Sequence, residues 1–259
     1  MAKVRVGETT IYYEVQGRGD PVVLLHGFTE TGRTLRALSD ALKRDFRVIT
    51  PDMPGYGRSG PQPRDYPVDF YERDARVMAA FLDALGLPAV HLGGFSDGAE
   101  VALWLAILRP AQVRSLVAWG VAGALNADAL PEVGEIATLI DAPPPHWVDW
   151  RDRLCRSYGE AAARRMTAGW AAAVRDLISR GGDISLARAG EIRCPVLLVN
   201  GAEDRVNPPV VVRALAARIP QAELILVPDV GHRVHDAREA WFNGLVRDWL
   251  LRHARSTRP

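Results

Sequence analysis

The stretch Gly94-Phe95-Ser96-Asp97-Gly98 constrains this chain more than any other. An apolar run, Ala89-Val90-His91-Leu92, leads into it. A run of helix formers, Ala99-Glu100-Val101-Ala102-Leu103-Trp104-Leu105-Ala106, leads out. Gly-x-Ser-x-Gly between a strand and a helix demands a turn so sharp that the serine takes a strained backbone. Glycines on both sides let strand and helix pass at close range. The serine hydroxyl is then lifted clear of the backbone, and the N–H of Asp97 at the helix start faces the place where an oxyanion would form. The bare pentapeptide is also compatible with an ordinary Gly/Ser turn. For Ser96 to be a nucleophile, the chain must supply a base, an acid and a second N–H donor at the same edge of one sheet.

The flanking pattern predicts such a sheet. Residues 21–25 are a continuous apolar run, which suits a strand buried on both faces, and residues 46–50, 90–94, 113–121, 196–200 and 224–227 read as further strands. Residues 3–6 and 10–15 add a hairpin-like start around Gly7-Glu8-Thr9. Helical spacing is expected over residues 34–44, over 68–85 with Gly86 as the stop, after Ser96, and over 209–218 and 237–251. Strand and helix alternate, so the fold class is α/β with a mostly parallel eight-stranded sheet. The alternation breaks after the sixth strand. Residues 126–187 hold helical stretches, a Pro143-Pro144-Pro145 interruption and a closing Gly181-Gly182, but no strand-like run. This is a helical lid inserted into a core of residues 1–125 and 188–259.

Composition excludes several function classes. With 32 basic and 31 acidic side chains, the net charge of +1 leaves no electrostatic footprint for nucleic acid or an anionic membrane surface. The Arg-rich tail, residues 252–258, reads as a frayed end. Two distant cysteines, Cys155 and Cys194, suit reduced thiols in a cytoplasmic protein, with Cys194 as small apolar filler. Residues 1–5 lack the apolar core of a signal peptide, and no apolar run approaches membrane-spanning length. The oligomeric state is left open.

A serine hydroxyl is a poor nucleophile without a base. The chain has six histidines: His26, His91, His146, His232, His235 and His253. His91 lies within a strand, His146 in the lid and His253 in the tail. His232 follows Gly231 in the loop after the last strand, at the edge where an α/β sheet displays its functional groups. Gly231 would allow a tight loop there, and the rival His235 lies one turn further on, entering a helix. Asp204, in the loop after strand 196–200, suits the acid that orients the base; Glu203 and Asp229 are its neighbours and rivals. The second N–H donor is expected from Phe28, where Gly27 turns the chain after strand 21–25. His26 would then hold that loop by hydrogen bonds. No clustered metal ligands and no phosphate loop are present, so neither metal nor cofactor is expected. Trp104, Trp119, Trp147, Trp150 and Trp170 are candidates for a pocket lining or for core filler.

Together, His26-Gly27-Phe28, Asp52-Met53-Pro54-Gly55-Tyr56-Gly57-Arg58-Ser59, Gly94-Phe95-Ser96-Asp97-Gly98, Gly201-Ala202-Glu203-Asp204 and Gly231-His232 make the chain resemble the α/β-hydrolase superfamily over nearly its full length. The order Ser96, Asp204, His232 is the one that superfamily uses. Residues 64–75, Ser96-Asp97-Gly98 and Val117-Ala118-Trp119-Gly120 are more closely similar to the valacyclovir hydrolases, or biphenyl hydrolase-like proteins. These cleave α-amino acid esters, amino acid ester prodrugs included. The resemblance implies a small-molecule ester as partner and assigns Asp97 to the substrate's ammonium group. A carboxylate at a helix N-terminus is favoured as an anion, which fits that role. It also fits a helix cap made by the same side chain. The chain departs from those relatives at Ala99, where they carry a further glycine, at His26-Gly27-Phe28, and through most of the lid. A general carboxylesterase or lactonase, a carbon–carbon bond hydrolase, and a non-catalytic receptor on the same fold remain as alternatives.

Overall fold

The structure is a computed structural model that describes residues 2–254. The strands form where β-branched and other apolar residues concentrate. In chain order they are β1 (Ala2–Val6), β2 (Thr9–Gln16), β3 (Pro21–Leu25), β4 (Arg47–Pro51), β5 (Val90–Phe95), β6 (Val113–Trp119), β7 (Val196–Gly201) and β8 (Ala222–Val227). They make one sheet in the order β1-β2-β4-β3-β5-β6-β7-β8. The pairings β1–β2 and β2–β4 are antiparallel, and the rest are parallel.

Both faces of the sheet are covered, which is why its central strands are mostly apolar on both sides, with His91 of β5 and Ser115 of β6 as buried polar exceptions. Val23 and Leu25 of β3 face one core, together with Ile49 and Leu92. Val22 and Leu24 face the other, together with Val117, Trp119, Leu197 and Val199. The first face is packed by α2 (Phe70–Ala84) and α3 (Asp97–Leu108). The second is packed by α1 (Arg36–Leu42) and the C-terminal helix Glu239–His253. α3 is buried from Asp97 through Ile107 because it runs between the sheet and α2.

Three expected elements differ in detail. The helix expected over residues 34–44 begins as a 3-10 turn, Gly32–Leu35, before α1. Asp52 Oδ1 accepts the Gly32 N–H at 2.9 Å, so the loop after β4 sets the entry. The helix expected over 68–85 starts at Phe70 and ends as read, with Gly86 at φ 63°. The helix expected over 237–251 runs instead over Glu239–His253, separated by the non-helical Arg238 (φ −133°, ψ 44°) from a short helix Val234–Ala237.

Between β6 and β7 the chain forms α4 (Leu130–Ala137), α5 (Val148–Tyr158) and α6 (Glu160–Ser179), with short 3-10 turns between and after them. Leu139, Ile140, Leu154 and Ala163 make a small core of their own. Met166, Trp170, Ala171 and Val174 of α6 join the main core instead, so the helical segment is anchored to the sheet through α6. After β7 come α7 (Pro209–Arg218), β8, α8 (Val234–Ala237) and α9 (Glu239–His253). α9 takes up the first part of the Arg-rich tail, and residues 255–258 lie outside the described residues. Among the described residues, no helix is long and apolar enough to cross a membrane. Cys155 and Cys194 are free thiols, and Cys194 is buried.

The sheet order carries a consequence for function. From β3 the chain moves to β4 on one side, then returns to place β5 on the other side of β3. The carboxyl ends of β3 and β5 therefore flank a topological switch point, where open α/β sheets form ligand crevices. His26-Gly27-Phe28 leaves β3 there, and Ser96 leaves β5.

Candidate active site

Ser96 sits between β5 and α3 with φ 52° and ψ −121°, a conformation that costs a non-glycine residue free energy. Its flanking glycines are obligatory. A Cβ on Gly94 would lie 2.4 Å from Gly98 O, and one on Gly98 would lie 2.4 Å from both His26 O and Leu25 O. Strand, helix and the β3 loop approach one another through those two positions. The Ser96 N–H donates to Trp119 O at 2.9 Å, which ties the turn to the end of β6.

His232 reaches Ser96 from the loop after β8. Its Nε2 is 3.1 Å from Ser96 Oγ, and its Nδ1 is 2.9 Å from Asp204 Oδ2. Asp204 is buried, and its Oδ1 accepts the N–H groups of Val206 and Asn207, each at 2.9 Å. With those bonds, the network gives His232 a proton on Nδ1 and leaves Nε2 able to accept. Asn207 also donates its side-chain amide to Gly120 O, at 2.6 Å. Gly120 has φ 59°, and a Cβ there would lie 2.9 Å from His232 Cε1.

The reason expected for the loop geometry is corrected. The close approach is not at Gly231, where a Cβ would find only Glu203 O at 3.8 Å. It is at Gly201, where a Cβ would lie 2.1 Å from Val230 O. The loops after β7 and β8 touch there, and Glu203 N donates to Val230 O at 3.0 Å.

The other histidines are occupied elsewhere. His235 is buried in α8, accepts the Trp119 indole N–H at 3.0 Å, and is pushed down to about 4, chiefly by burial. His91 lies within β5 against Ser115 Oγ, at 2.8 Å. His26 accepts the Met53 N–H at 2.9 Å and bonds Gly27 O at 2.8 Å, so it braces the β3 loop against the β4 loop. Burial lowers its pKa and keeps it neutral. His146 is exposed on the segment between β6 and β7, and His253 ends α9. Glu203 and Asp229 are exposed and have no hydrogen bond to His232 among the described residues.

Phe28 lies in a reverse turn closed by Glu30 N donating to Gly27 O at 3.2 Å, with Thr29 at φ 64°. Left-handed backbone at a β-branched residue is an outlier. The Phe28 and Asp97 N–H groups find no acceptor among the described residues. They are two free donors beside Ser96.

The Asp97 side chain does not make the helix cap expected as its other role. Its Oδ1 accepts the Tyr71 hydroxyl at 2.9 Å and its Oδ2 accepts the Trp170 indole N–H at 3.0 Å. The helix N-terminus does not favour the anion strongly enough to offset desolvation. At 6% exposure, burial pushes Asp97 up to about 6, against the hydrogen bonds and Arg64, which lower it. Arg64 is itself paired with Asp74 at 2.6 Å.

Ser96 and Asp97 stand where two cavities meet. The larger, of about 800 Å³, is lined by Phe28, Trp147, Trp150, Arg153, His232 and Arg233 among others. The smaller, of about 40 Å³, runs behind Asp97 past Tyr71, Glu100, Ala122, Val133 and Ile184. Of the five tryptophans considered, Trp147, Trp150 and Trp170 line these cavities, whereas Trp104 and Trp119 are core. Tyr71, Glu100 and Asn207 escape sequence reasoning because nothing in their neighbourhoods distinguishes them from core-facing or loop residues. Glu100 is buried and pushed up to about 7 by desolvation, although it accepts from Ala122 N, Gly123 N and Ser185 Oγ.

Residues 22–245 match the alpha/beta hydrolase family. The human protein named serine hydrolase BPHL is 31% identical over 256 residues, covering 96% of this chain and 86% of its own length. A 2-hydroxymuconate semialdehyde hydrolase from Pseudomonas sp. (strain CF600) is 32% identical over 254 residues, covering 90% and 88%. Among solved structures, a thermophilic esterase from Thermogutta terrifontis superposes with a TM-score of 0.75 at 26% identity, over 98% of this chain and all of that one. The strand order, the strained Ser96 turn and these matches lead to one conclusion: the chain belongs to the alpha/beta hydrolase family, as a serine hydrolase of the esterase type.

Proposed function

We propose that this enzyme hydrolyses carboxylic esters through an acyl-enzyme on Ser96 and prefers esters of α-amino acids. His232 takes the Ser96 proton as Oγ attacks the carbonyl, then returns it to the leaving alcohol. Asp204 holds His232 in the tautomer with Nδ1 protonated and stabilises the imidazolium. The N–H groups of Phe28 and Asp97 receive the oxyanion. Water activated by His232 then releases the acid and restores Ser96. The alcohol side of the ester lies in the larger cavity and the acyl side in the smaller one. Residues 126–187 act as the lid over both, with residues 1–125 and 188–259 as the core. The partner is a small-molecule ester, and the site is the cytoplasmic one expected from the thiols.

The observation that carries the amino acid preference is Asp97. Its buried carboxylate borders the nucleophile and is held by two neutral donors, while Arg64, whose charge acts on it, is paired with Asp74. A substrate ammonium would supply the missing charge through a charge-assisted bond in a desolvated pocket. A second reading, hydrolysis of a carbon–carbon bond in a ring-cleavage product, is favoured by the Pseudomonas relative. A muconate is a carboxylate, and an ionised Asp97 opposes it by like-charge repulsion.

Turnover of p-nitrophenyl acetate by wild type and Ser96→Ala tests the proposal. Activity should fall by at least ~10³-fold, the scale of losing a nucleophile that works as a unit with its base. Wild-type turnover that survives in Ser96→Ala would leave a receptor, or another nucleophile, as the better account.

A further inference from the structure

One charged pair joins the two loops on which the Ser96 chemistry depends, and neither member touches the reacting atoms. Arg233 follows His232. Glu30 closes the turn that presents Phe28. Arg233 Nη1 lies 2.5 Å from Glu30 Oε1, across 203 residues of sequence. The other oxygen of Glu30 accepts the Gly27 N–H at 3.3 Å and the Thr34 hydroxyl at 3.1 Å. The Nε of Arg233 bonds Asp236 at 2.5 Å, and its guanidinium lies 5.2 Å from the centroid of Phe95, the residue before Ser96.

Exposure separates the roles such a pair can have. The Glu30 side chain is 12% exposed and that of Arg233 is 44% exposed. An ion pair whose cation is half exposed is partly screened by solvent and contributes little to global stability. Geometry is a different matter. A planar guanidinium with Nη1 donating to Glu30 and Nε to Asp236 has a single orientation, and Glu30 has both oxygens committed. Burial pushes the Glu30 carboxyl up, but Arg233 outweighs it and holds the group below the usual carboxylate range, so the pair is charged at neutral pH. The turn it braces carries the left-handed Thr29. Such a turn keeps its shape only where its surroundings over-determine it.

We propose that Glu30 and Arg233 are positioning residues that lock the Phe28 turn and the His232 loop in register, so that oxyanion donor and base meet the same carbonyl. The proposal rests on the roles given above to Ser96, His232 and Phe28. Loop register matters because a displacement of ~1 Å from a productive geometry costs up to ~10²-fold in rate.

The test uses p-nitrophenyl acetate with Glu30→Gln, Arg233→Gln, the double variant and Arg233→Lys, with Ser96→Ala alongside. Each of the two single Gln variants should lower kcat by roughly tenfold with KM within about twofold, less than the ~10²-fold loss of a whole oxyanion donor. The double variant should be no slower than the slower single, because both remove one interaction. Arg233→Lys should recover most of the rate. The melting temperature of Arg233→Gln should stay within ~2 °C of wild type, since Arg233 is 44% exposed. If Glu30→Gln proves too unstable to assay, the half-exposed Arg233 carries the comparison. Wild-type kcat in Arg233→Gln, or losses that multiply in the double variant, would overturn the proposal. The two levels stay separable: an active Ser96→Ala defeats the reading of the site, whereas an inactive Ser96→Ala beside a fully active Arg233→Gln defeats only the pair.

Discussion

Asp97→Asn separates substrate recognition from chemistry, and its effects can be worked out in size and sign. The change keeps the side chain's shape and its acceptor for Tyr71 or Trp170. It removes the charge. An ammonium ~4 Å from a carboxylate is attracted by ~4 kcal/mol at an effective dielectric of ~20. Desolvation of the ammonium offsets part of this, leaving the ~2–3 kcal/mol typical of a hydrogen bond to a charged group. The kcat/KM for an α-amino acid benzyl ester should therefore fall by about 30- to 150-fold. The N-acetylated ester has no cation, and its kcat/KM should change by less than about threefold.

The pH dependence adds a second handle. Asp97 has its pKa at about 6, so roughly a tenth of it is ionised at pH 5. The α-ammonium, with a pKa near ~7.7, stays charged below neutrality. In wild type the ratio of free-amine to N-acetyl kcat/KM should drop by about tenfold from pH 7 to pH 5, and any effect on the chemical steps common to both substrates cancels from the ratio. In Asp97→Asn the ratio should be flat. A pH-independent ratio in wild type, or equal losses on both esters in the variant, would refute the ammonium role.

Stability should move the other way. The folded pKa of Asp97 is raised, so the folded state binds this proton more tightly than the unfolded chain does. The contribution is favourable in acid, is lost as pH rises from about 4 to 6, and is a constant penalty above that. Its size at pH 7 is about 3 kcal/mol. Asp97→Asn should thus melt several degrees higher at pH 7 than wild type, with the difference shrinking toward pH 4.

Three further changes probe the same framework. Trp170→Phe removes one of the two donors to Asp97 Oδ2 and Oδ1, so the acid limb of the free-amine to N-acetyl ratio should move above pH 6; an unmoved limb would mean Trp170 does not tune the carboxyl. Gly120→Ala forces a Cβ to 2.9 Å from His232 Cε1 at a φ of 59°, and should lower kcat by ~10²-fold on both esters while the protein still folds by circular dichroism. Glu100→Gln should be stabilising above pH 7 and neutral below about pH 5, read by thermal melts across that range, because burial outweighs its three hydrogen bonds and holds Glu100 up at about 7.

The sheet was legible in the chain because strands buried on both faces leave long apolar runs, and β3 coincides with the run 21–25. The Ser96 turn was legible because its steric demand admits only glycine at Gly94 and Gly98. Ser96, Asp204 and His232 could be nominated singly, each at the carboxyl end of a strand. Their meeting could not. The 3.1 Å and 2.9 Å contacts of His232 depend on strand order and on Gly201 letting two loops touch, not on Gly231.

Asp97 marks the boundary most sharply. Local sequence places it at a helix N-terminus, where a carboxylate is stabilised or caps the helix. The tertiary structure buries it instead between Tyr71 of α2 and Trp170 of α6, which lie 26 residues before it and 73 residues after it. Desolvation is a sum over whatever the whole fold packs around a group, and no local pattern encodes it. The sequence alone therefore determined the sheet, the turn and the residue types at its edge. Which of those groups are dry, paired or left seeking a charge was decided only when distant segments closed over them.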